Sequence, residues 1–535
     1  MTATIAHLHD MPVRLTACCF AISCAVVFLT DPLALPREVH RQKRMERSWF
    51  RWFAENAARV PIIALIFMAF FAISWRPVYA AQATMSFFII FTGISRAKFI
   101  FIREPLIFSD IALVVDVFKY KTIFYATSLN IVFWIVAFAY VFGASALYMY
   151  YEPHILPDRS RPFWITVMVL AAALPWLAIF LKPVSRIVAR CSEWLFMTFD
   201  ARLNTVRFGT FTSVVIHFTI WLGAKREKIL AEIRHGLQHA LHELHELIGV
   251  EDEAAPLIVI WQSESFMDLR NFGETDFHLP NIDRMRRHAV QWGRMTSVFE
   301  GGYTLRTEFA VLSGLQPESV HSDASYPYLR AAYYSDVVWP TKLKKAGWRT
   351  HFIHPYDRTF FLRHKAMPLL GFEKMTMLDE FEHDAQLDGP YVSDMNLTKK
   401  VLGIAAEADV NTPALLFVAS MANHGPWEPG RVRGLNDPVA IYKQLLVEAD
   451  KALGRLIGEL DKLDRPVWLA FYGDHAPLLK AFADPFPDPR TDYIITPLAE
   501  ARTKRGRGVE PAEEAPWNLF RLTLSRAGLL RGDLQ

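Results

Sequence analysis

Six uncharged apolar stretches fill the first 224 residues of this 535-residue chain, and nothing after Lys225 resembles them. They cover 15–35 (broken only by Asp31), 60–75, 77–95, 122–151, 162–181 and 208–224. A helix of about 20 apolar residues crosses a bilayer. Residues 1–224 are therefore expected to form a multi-span α-helical membrane domain of five transmembrane helices. The sixth stretch carries His217 with several Thr and Ser, and reads either as a further span or as an interfacial helix. The first reads as a span and not as a cleaved signal peptide, because no small-residue cleavage site leads into a folded domain and more spans follow at once.

Loop charge bears on orientation. Segments 37–59, 96–121 and 182–207 carry seven, five and five Lys or Arg, against two in 152–161. The positive-inside rule places the first three in the cytoplasm, which with six spans leaves both termini outside. Five spans with the N-terminus inside put the basic loop after the first span on the outer face instead. Both readings deliver the C-terminal half outside. The overall charge of +3, from 58 basic and 55 acidic residues, is too balanced for a nucleic-acid-wrapping protein, and no nucleic-acid partner is expected.

Residues 225–250 turn polar, with Ile229, Ile233, Leu237, Leu241, Leu244 and Ile248 at helical spacing, and read as an amphipathic, solvated linker helix. His235, His239, His242 and His245 lie on it, but the order HExxH of zinc proteases is missing, so they are set aside. In residues 251–535, short apolar runs at 257–261, 350–353, 414–419 and 467–472 alternate with helical stretches at 304–315, 339–346 and 440–463. Strands buried on both faces by helices have this pattern. The expected domain is an α/β sandwich around a mostly parallel central sheet, whose ligands gather at the strand C-termini. All four cysteines (Cys18, Cys19, Cys24, Cys191) precede it, which removes disulfides, thiolate metal sites and a cysteine nucleophile from this half. The charged stretch 499–514 reads as mobile.

The strand ends are where the chemistry collects. The run at 257–261 leads into Gln262-Ser263-Glu264-Ser265, and the run at 467–472 into Gly473-Asp474-His475. A carboxylate and an Asp-His pair supply hard oxygen and imidazole ligands suited to Mn²⁺, Mg²⁺ or Zn²⁺. The segment Glu300-Gly301-Gly302-Tyr303-Thr304 opens a helix, where a hydroxyl is either an ordinary N-cap or a nucleophile favoured by the helix dipole and a metal. His354, Asp357 and Arg363 follow one strand, and Asn423-His424-Gly425-Pro426 another. Guanidinium and imidazole donors near a metal suit phosphate recognition.

In this order the motifs resemble those of lipoteichoic acid synthase-type phosphoglycerol transferases, in the alkaline phosphatase and sulfatase superfamily. The likeness spans nearly the whole chain, including the multi-span front. It implies that Glu264, Thr304, Asp474 and His475 hold one Mn²⁺, that Thr304 is the nucleophile, and that His354, Asp357, Arg363 and His424 contact phosphate or headgroup. Two positions depart from the Gram-positive pattern: Arg306 replaces an acidic residue and Phe361 a tryptophan. The segment 103–110 resembles the Gram-negative branch. By this resemblance the protein is a multi-pass enzyme of a bacterial inner (cytoplasmic) membrane with its catalytic domain on the periplasmic face. It takes phosphoglycerol from the donor phosphatidylglycerol to a glycan or polyol acceptor. Sulfatase activity would require a Cys-x-Pro-x-Arg type segment, which is missing. Phosphoethanolamine transfer, lipid phosphodiesterase activity and a non-catalytic membrane scaffold are the alternatives.

Overall fold

The computed structural model describes residues 2–42, 49–113, 119, 131–195, 200–244, 254–299, 301–386, 388–479, 488–499, 501 and 508–530. Two compact units divide it, Met1–Ala224 and Lys225–Gln535.

In the first unit, four helices among the described residues are long and apolar enough to cross a membrane: Pro12–Ala34, Trp49–Ser74, Pro77–Ile102 and Arg161–Ala178. The expected fourth stretch is helical over Ile131–Tyr151, and its residues 122–130 lie outside the described ones. The Thr210–Gly223 helix has 14 residues, a length of about 21 Å against about 30 Å of hydrocarbon, which argues against a sixth crossing. Buried polar contacts pin the span ends. Asp31 pairs with Arg59 and accepts hydrogen bonds from Thr92 and Thr210, each at 3.3 Å. At the opposite ends of these spans, Glu152 accepts from the backbone N–H groups of Val78 and Tyr79 at 2.8 Å. The segment following the first span and the start of the Thr210–Gly223 helix therefore share one end of this unit.

The second unit is built on a seven-stranded sheet. Its strands are β1 (Leu257–Ser263), β2 (Gln291–Met295), β3 (Arg349–Ile353), β4 (Lys374–Thr376), β5 (Ala414–Ala419), β6 (Pro466–Gly473) and β7 (Thr491–Ala499). The order is β2-β7-β6-β1-β5-β3-β4. β6, β1, β5, β3 and β4 run parallel, while β7 and β2 are added antiparallel at one edge. The four apolar runs expected to be strands are β1, β3, β5 and β6, all in the parallel block. Their burial follows from helices on both faces: β1 and β5 are buried at every position. Leu446, Leu453 and Leu456 of the Pro438–Leu460 helix pack into the same core as Val259, Leu416 and Leu469.

Register puts the functional ends level. Gln262 of β1 pairs with Ala419 of β5 and Tyr472 of β6, and Ile353 of β3 with Val418. Glu264, His354, Ser420 and Asp474 consequently leave the sheet along one edge.

Two sequence expectations change. The charged stretch 499–514 is not uniformly loose: Ala499 closes β7, and at the other end Ala512 and Glu514 donate to the β2 carbonyls of Trp292 and Arg294. The linker helix, observed over Arg226–Leu244, is docked and not simply solvated. Its Leu230 and Ile233 are buried, and Arg226 forms a bidentate pair with buried Asp323 at 2.9 and 2.8 Å. Tyr334 donates to the same carboxylate at 2.8 Å. Among the set-aside histidines, the side chains of His239, His242 and His245 lie outside the described residues. Removing one partner of a buried ion pair strands the other charge. Asp323→Ala is accordingly expected to destabilise the polar unit by about 3–5 kcal/mol, measured by thermal or denaturant unfolding, with proteolytic release of the linker as a second readout.

Candidate active site

Three buried side chains meet where β1 and β6 end. Glu264, Asp474 and His475 each offer a ligand atom, and these atoms lie within 4.8 Å of one another. His475 Nε2 stands 3.3 Å from a Glu264 oxygen and 3.5 Å from Asp474 Oδ2. The ring's other nitrogen, Nδ1, donates to the carbonyl of Ala476 at 3.0 Å. In the neutral imidazole this leaves Nε2 carrying a lone pair toward two carboxylates, an arrangement that calls for a cation among them.

Electrostatics agree with that geometry. Burial disfavours the His475 imidazolium, yet the Asp474 and Glu264 carboxylates outweigh it and raise the pKa to about 10. Burial pushes Asp474 up to about 7, and the Glu264 charge adds to it. For Glu264 burial acts upward too, but the histidines His424 and His475 prevail and bring it to about 2. The nest thus favours positive charge. Asp474 Oδ2 and His475 Nε2 are buried with no hydrogen-bond partner. Oxygen donors with one imidazole fit a divalent ion of the Mn²⁺, Mg²⁺ or Zn²⁺ kind, held by these three residues.

Thr304 belongs to the same place. It is the first residue of the Thr304–Ser313 helix, and Tyr303 occupies the N-cap position. Its side chain is buried and close enough to the Asp474 carboxylate to lower that group's proton affinity. Gly302, two residues earlier, lies beside the ring: a Cβ there would stand 4.0 Å from His475 Nε2.

The backbone is shaped to bring these groups together. Ser265 adopts a left-handed φ of 49°, unusual for a residue with a side chain. From it, its N–H donates to Asp474 Oδ1 at 2.8 Å and its hydroxyl to Glu264 at 2.8 Å. Gly473 has no room for a side chain, since a Cβ would come within 2.1 Å of the Phe266 carbonyl oxygen.

A second buried group lies beside the first. Arg363 is 1% exposed. Its Nε and Nη2 donate to Glu308 at 3.1 and 3.0 Å, and its Nη1 to His354 Nε2 at 3.0 Å. His354 Nδ1 donates to the Ala419 carbonyl at 3.0 Å, and burial with Arg363 alongside keeps its imidazole neutral. Gln262 and Tyr328 also donate to Glu308. Phe361 and Leu362, immediately before Arg363, both have left-handed φ, 53° and 58°. The structure therefore joins His354 and Arg363, and adds Glu308 as the anion that holds the guanidinium.

His424 lies near Glu264, with Nδ1 against the Gly425 carbonyl; burial lowers its pKa, while the Glu264 charge works the other way. Asp357 is turned to its own loop, where Oδ1 accepts from the N–H and hydroxyl of Thr359, both at 2.7 Å. Arg306, one of the two departures from the family pattern, lies over the rings of Phe299 and Tyr303 and donates to the Ser325 carbonyl at 3.0 Å. Sequence reasoning left Ser265, Glu308, Asp394 and Ser420 without roles. Glu308 alone carried a signal, four residues after Thr304 and hence on the same helix face.

Residues 256–508 match the family described as Sulfatase. Over 529 residues, 99% of this chain and 97% of the relative, the sequence is 63% identical to the "Capsular polysaccharide biosynthesis protein RkpI" of Rhizobium meliloti (strain 1021). The chain belongs to the RkpI family. A "Putative cyclic beta-1,2-glucan modification protein" of the same organism is 28% identical over 248 residues, 43% of this chain and 37% of that one. Among solved structures, the Streptococcus pyogenes phosphoglycerol transferase GacH in complex with sn-glycerol-1-phosphate is 22% identical, covering 56% of this chain and 81% of the other, with a TM-score of 0.43.

Two predictions follow from the geometry. Adding Mn²⁺ to chelator-treated protein should raise its melting temperature, and Glu264→Gln or Asp474→Asn should abolish that rise. Glu308→Gln removes the counter-charge of buried Arg363 and should cost about 3–5 kcal/mol of stability by denaturant unfolding. It should leave the Mn²⁺-induced shift in place, because Glu308 belongs to the Arg363 group and not to the Glu264-Asp474-His475 nest.

Proposed function

We propose that this RkpI-family protein is a membrane-bound, metal-dependent transferase. In this reading it moves a phosphoglycerol group from phosphatidylglycerol to a periplasmic or cell-surface glycan or polyol, through a phosphothreonine-type intermediate, and releases diacylglycerol. The observation that carries the reading is the buried Thr304 hydroxyl, at a helix N-terminus and beside Asp474 of the Glu264-Asp474-His475 nest.

A divalent cation held there, with Mn²⁺ the first choice, supplies Lewis acidity and lowers the hydroxyl pKa. Asp474 is the group placed to take the Thr304 proton as Oγ attacks phosphorus and the diacylglycerol oxygen leaves. The free amides at the helix start favour the developing negative charge. An acceptor hydroxyl then displaces the threonine oxygen from phosphorus, and the phosphoglycerol passes to the acceptor. His354, Arg363 and His424 are assigned to phosphoryl and headgroup contacts, with Asp357 shaping the loop between His354 and Arg363.

The membrane unit supports a lipid donor, since a substrate that stays in the bilayer requires a site anchored to it. A glycan acceptor agrees with the names of the two Rhizobium meliloti relatives, one tied to capsular polysaccharide and the other to a cyclic glucan. The apolar helices agree with a multi-pass protein of the bacterial inner membrane whose polar unit faces the periplasm. The family name does not carry sulfatase activity to this chain, which has Thr304 where a formylglycine precursor would be needed.

The deciding experiment incubates the full-length protein with phosphatidylglycerol vesicles, Mn²⁺ and candidate glycans. Wild type is expected to release diacylglycerol and to label a glycan with phosphoglycerol. Thr304→Ala is expected to lose at least about 10³-fold of the release while keeping the wild-type fold. Turnover retained by Thr304→Ala would refute the nucleophile assignment. Diacylglycerol release with free glycerol phosphate and no labelled glycan would assign a phosphodiesterase instead.

A further inference from the structure

The loop that follows β5 and carries His424 is braced by two side chains that the reaction above does not use. Its root lies against the cation nest: the Ser420 hydroxyl oxygen accepts the backbone N–H of Glu264 at 3.0 Å, and the Ser420 N–H donates to the Gln262 carbonyl at 2.9 Å. Its far end is tied to the core by Trp427, buried with its ring 5.3 Å from that of Tyr442. Between these points Arg431 folds back on the loop. Its Nη2 donates to the Ala422 carbonyl at 2.6 Å, and its Nη1 to the carbonyls of Pro426, at 2.8 Å, and of His424. Tyr391 holds the remaining carbonyl, donating its hydroxyl to Gly425 at 3.0 Å. Its ring centroid lies 5.6 Å from that of His424, and the Arg431 guanidinium stands over the same tyrosine ring at 5.0 Å.

The brace decides which nitrogen of His424 is left for a ligand. Nδ1 stands 2.6 Å from the Gly425 carbonyl oxygen, which can only accept, so Nδ1 carries the hydrogen and the neutral imidazole keeps its lone pair on Nε2. With Tyr391 on one lone pair of that carbonyl and Nδ1–H on the other, the oxygen is fully used. Nε2 has no hydrogen-bond partner among the described residues, and the side chain is half-buried, not sealed. An imidazole lone pair repels a phosphoryl oxygen and suits an O–H donor. We propose that Tyr391 and Arg431 are positioning residues that hold His424 as its Nδ1–H tautomer, so that Nε2 accepts a hydrogen bond from a substrate hydroxyl. The hydroxyl belongs either to the glycerol headgroup of the donor or to the acceptor, and in this the inference rests on the transferase reading given above. A loop that merely needed its carbonyls satisfied would show the same bonds from Arg431, but its loss would then act independently of His424.

That difference is the test. Phosphoglycerol transfer from phosphatidylglycerol to glycan is measured with the full-length protein, alongside diacylglycerol release without glycan. Arg431→Lys, which keeps the charge but loses the fork across the carbonyls, and Tyr391→Phe should each lower transfer by about 10- to 100-fold, the scale of a reacting group displaced by roughly an ångström. A loss shared by glycan-free release assigns the hydroxyl to the headgroup, and a loss confined to transfer assigns it to the acceptor. In a His424→Ala background neither substitution should lower the rate further, because the brace has nothing left to hold. Further loss in that background overturns the proposal, as does unchanged transfer in both single variants or in His424→Ala. Should Arg431→Lys fail to fold, Tyr391→Phe carries the same cycle. The tautomer is read without substrate from the nitrogen NMR spectrum of histidine-labelled protein, with the His424 signals identified by their loss in His424→Ala. Nδ1–H is expected in the wild type and a mixture of tautomers in Tyr391→Phe, whereas Nε2–H in the wild type overturns the proposal. A wild type that shows this tautomer pattern but releases no diacylglycerol upholds the brace and defeats the transferase reading.

Discussion

Two carboxylates and an imidazole lone pair, buried and within 4.8 Å of one another, set the terms for the polar unit. At an effective dielectric of about 20, unit charges 4 Å apart interact by about 4 kcal/mol. Between Glu264 and Asp474 that interaction is repulsive, and burial removes the water that would screen it. A folded chain tolerates such a nest when a positive charge belongs in it. The raised proton affinity of His475 is the same demand expressed through a titratable imidazole beside the two carboxylates.

Holding the nest together takes distortion as well as charge. The parallel strands end level, which is a cheap way to bring four segments to one edge. The last ångströms come from unusual backbone. Ser265, Phe361 and Leu362 carry left-handed φ angles directly beside Glu264 and Arg363, and Gly473 precedes Asp474 because the Phe266 carbonyl occupies the space of a side chain. Such strain persists only where surrounding contacts over-determine it. Here Tyr442 holds the Ser265 carbonyl from the long Pro438–Leu460 helix, which ties the distorted turn to the core.

Strands buried on both faces were legible because a continuous apolar run such as Leu257–Trp261 has few other uses. The two strands of the antiparallel end were not. β2 alternates buried and half-buried positions over only five residues, and β7 contains Pro497, which a central strand avoids, yet β7 pairs on both sides. Glu264, Asp474 and His475 could be named as ligands because each follows an apolar run directly. The fate of the Thr304 hydroxyl could not, since a helix start serves a cap and a nucleophile equally well; only the fold shows that Tyr303 takes the cap position. The docking of the linker helix was hidden for a similar reason. Arg226 reads as a solvated charge until Asp323, 97 residues later, is brought against it.

The degree to which each buried acid is satisfied separates the scaffold from the site. Glu308 is fully buried and receives four donors, two from Arg363 and one each from Gln262 and Tyr328, which is all a carboxylate readily accepts. Asp323 is likewise enclosed, by Arg226 and Tyr334. These acids are finished structures; a further ligand would have to break existing bonds. Asp474 and His475, equally buried, each keep one atom without a hydrogen-bond partner, and those two atoms face each other at 3.5 Å. Unspent bonding capacity in a dry interior costs stability. Its concentration at one point, beside a hydroxyl at a helix start, is the physical reason to read Asp474 as an active-site acid and Glu308 as a structural one.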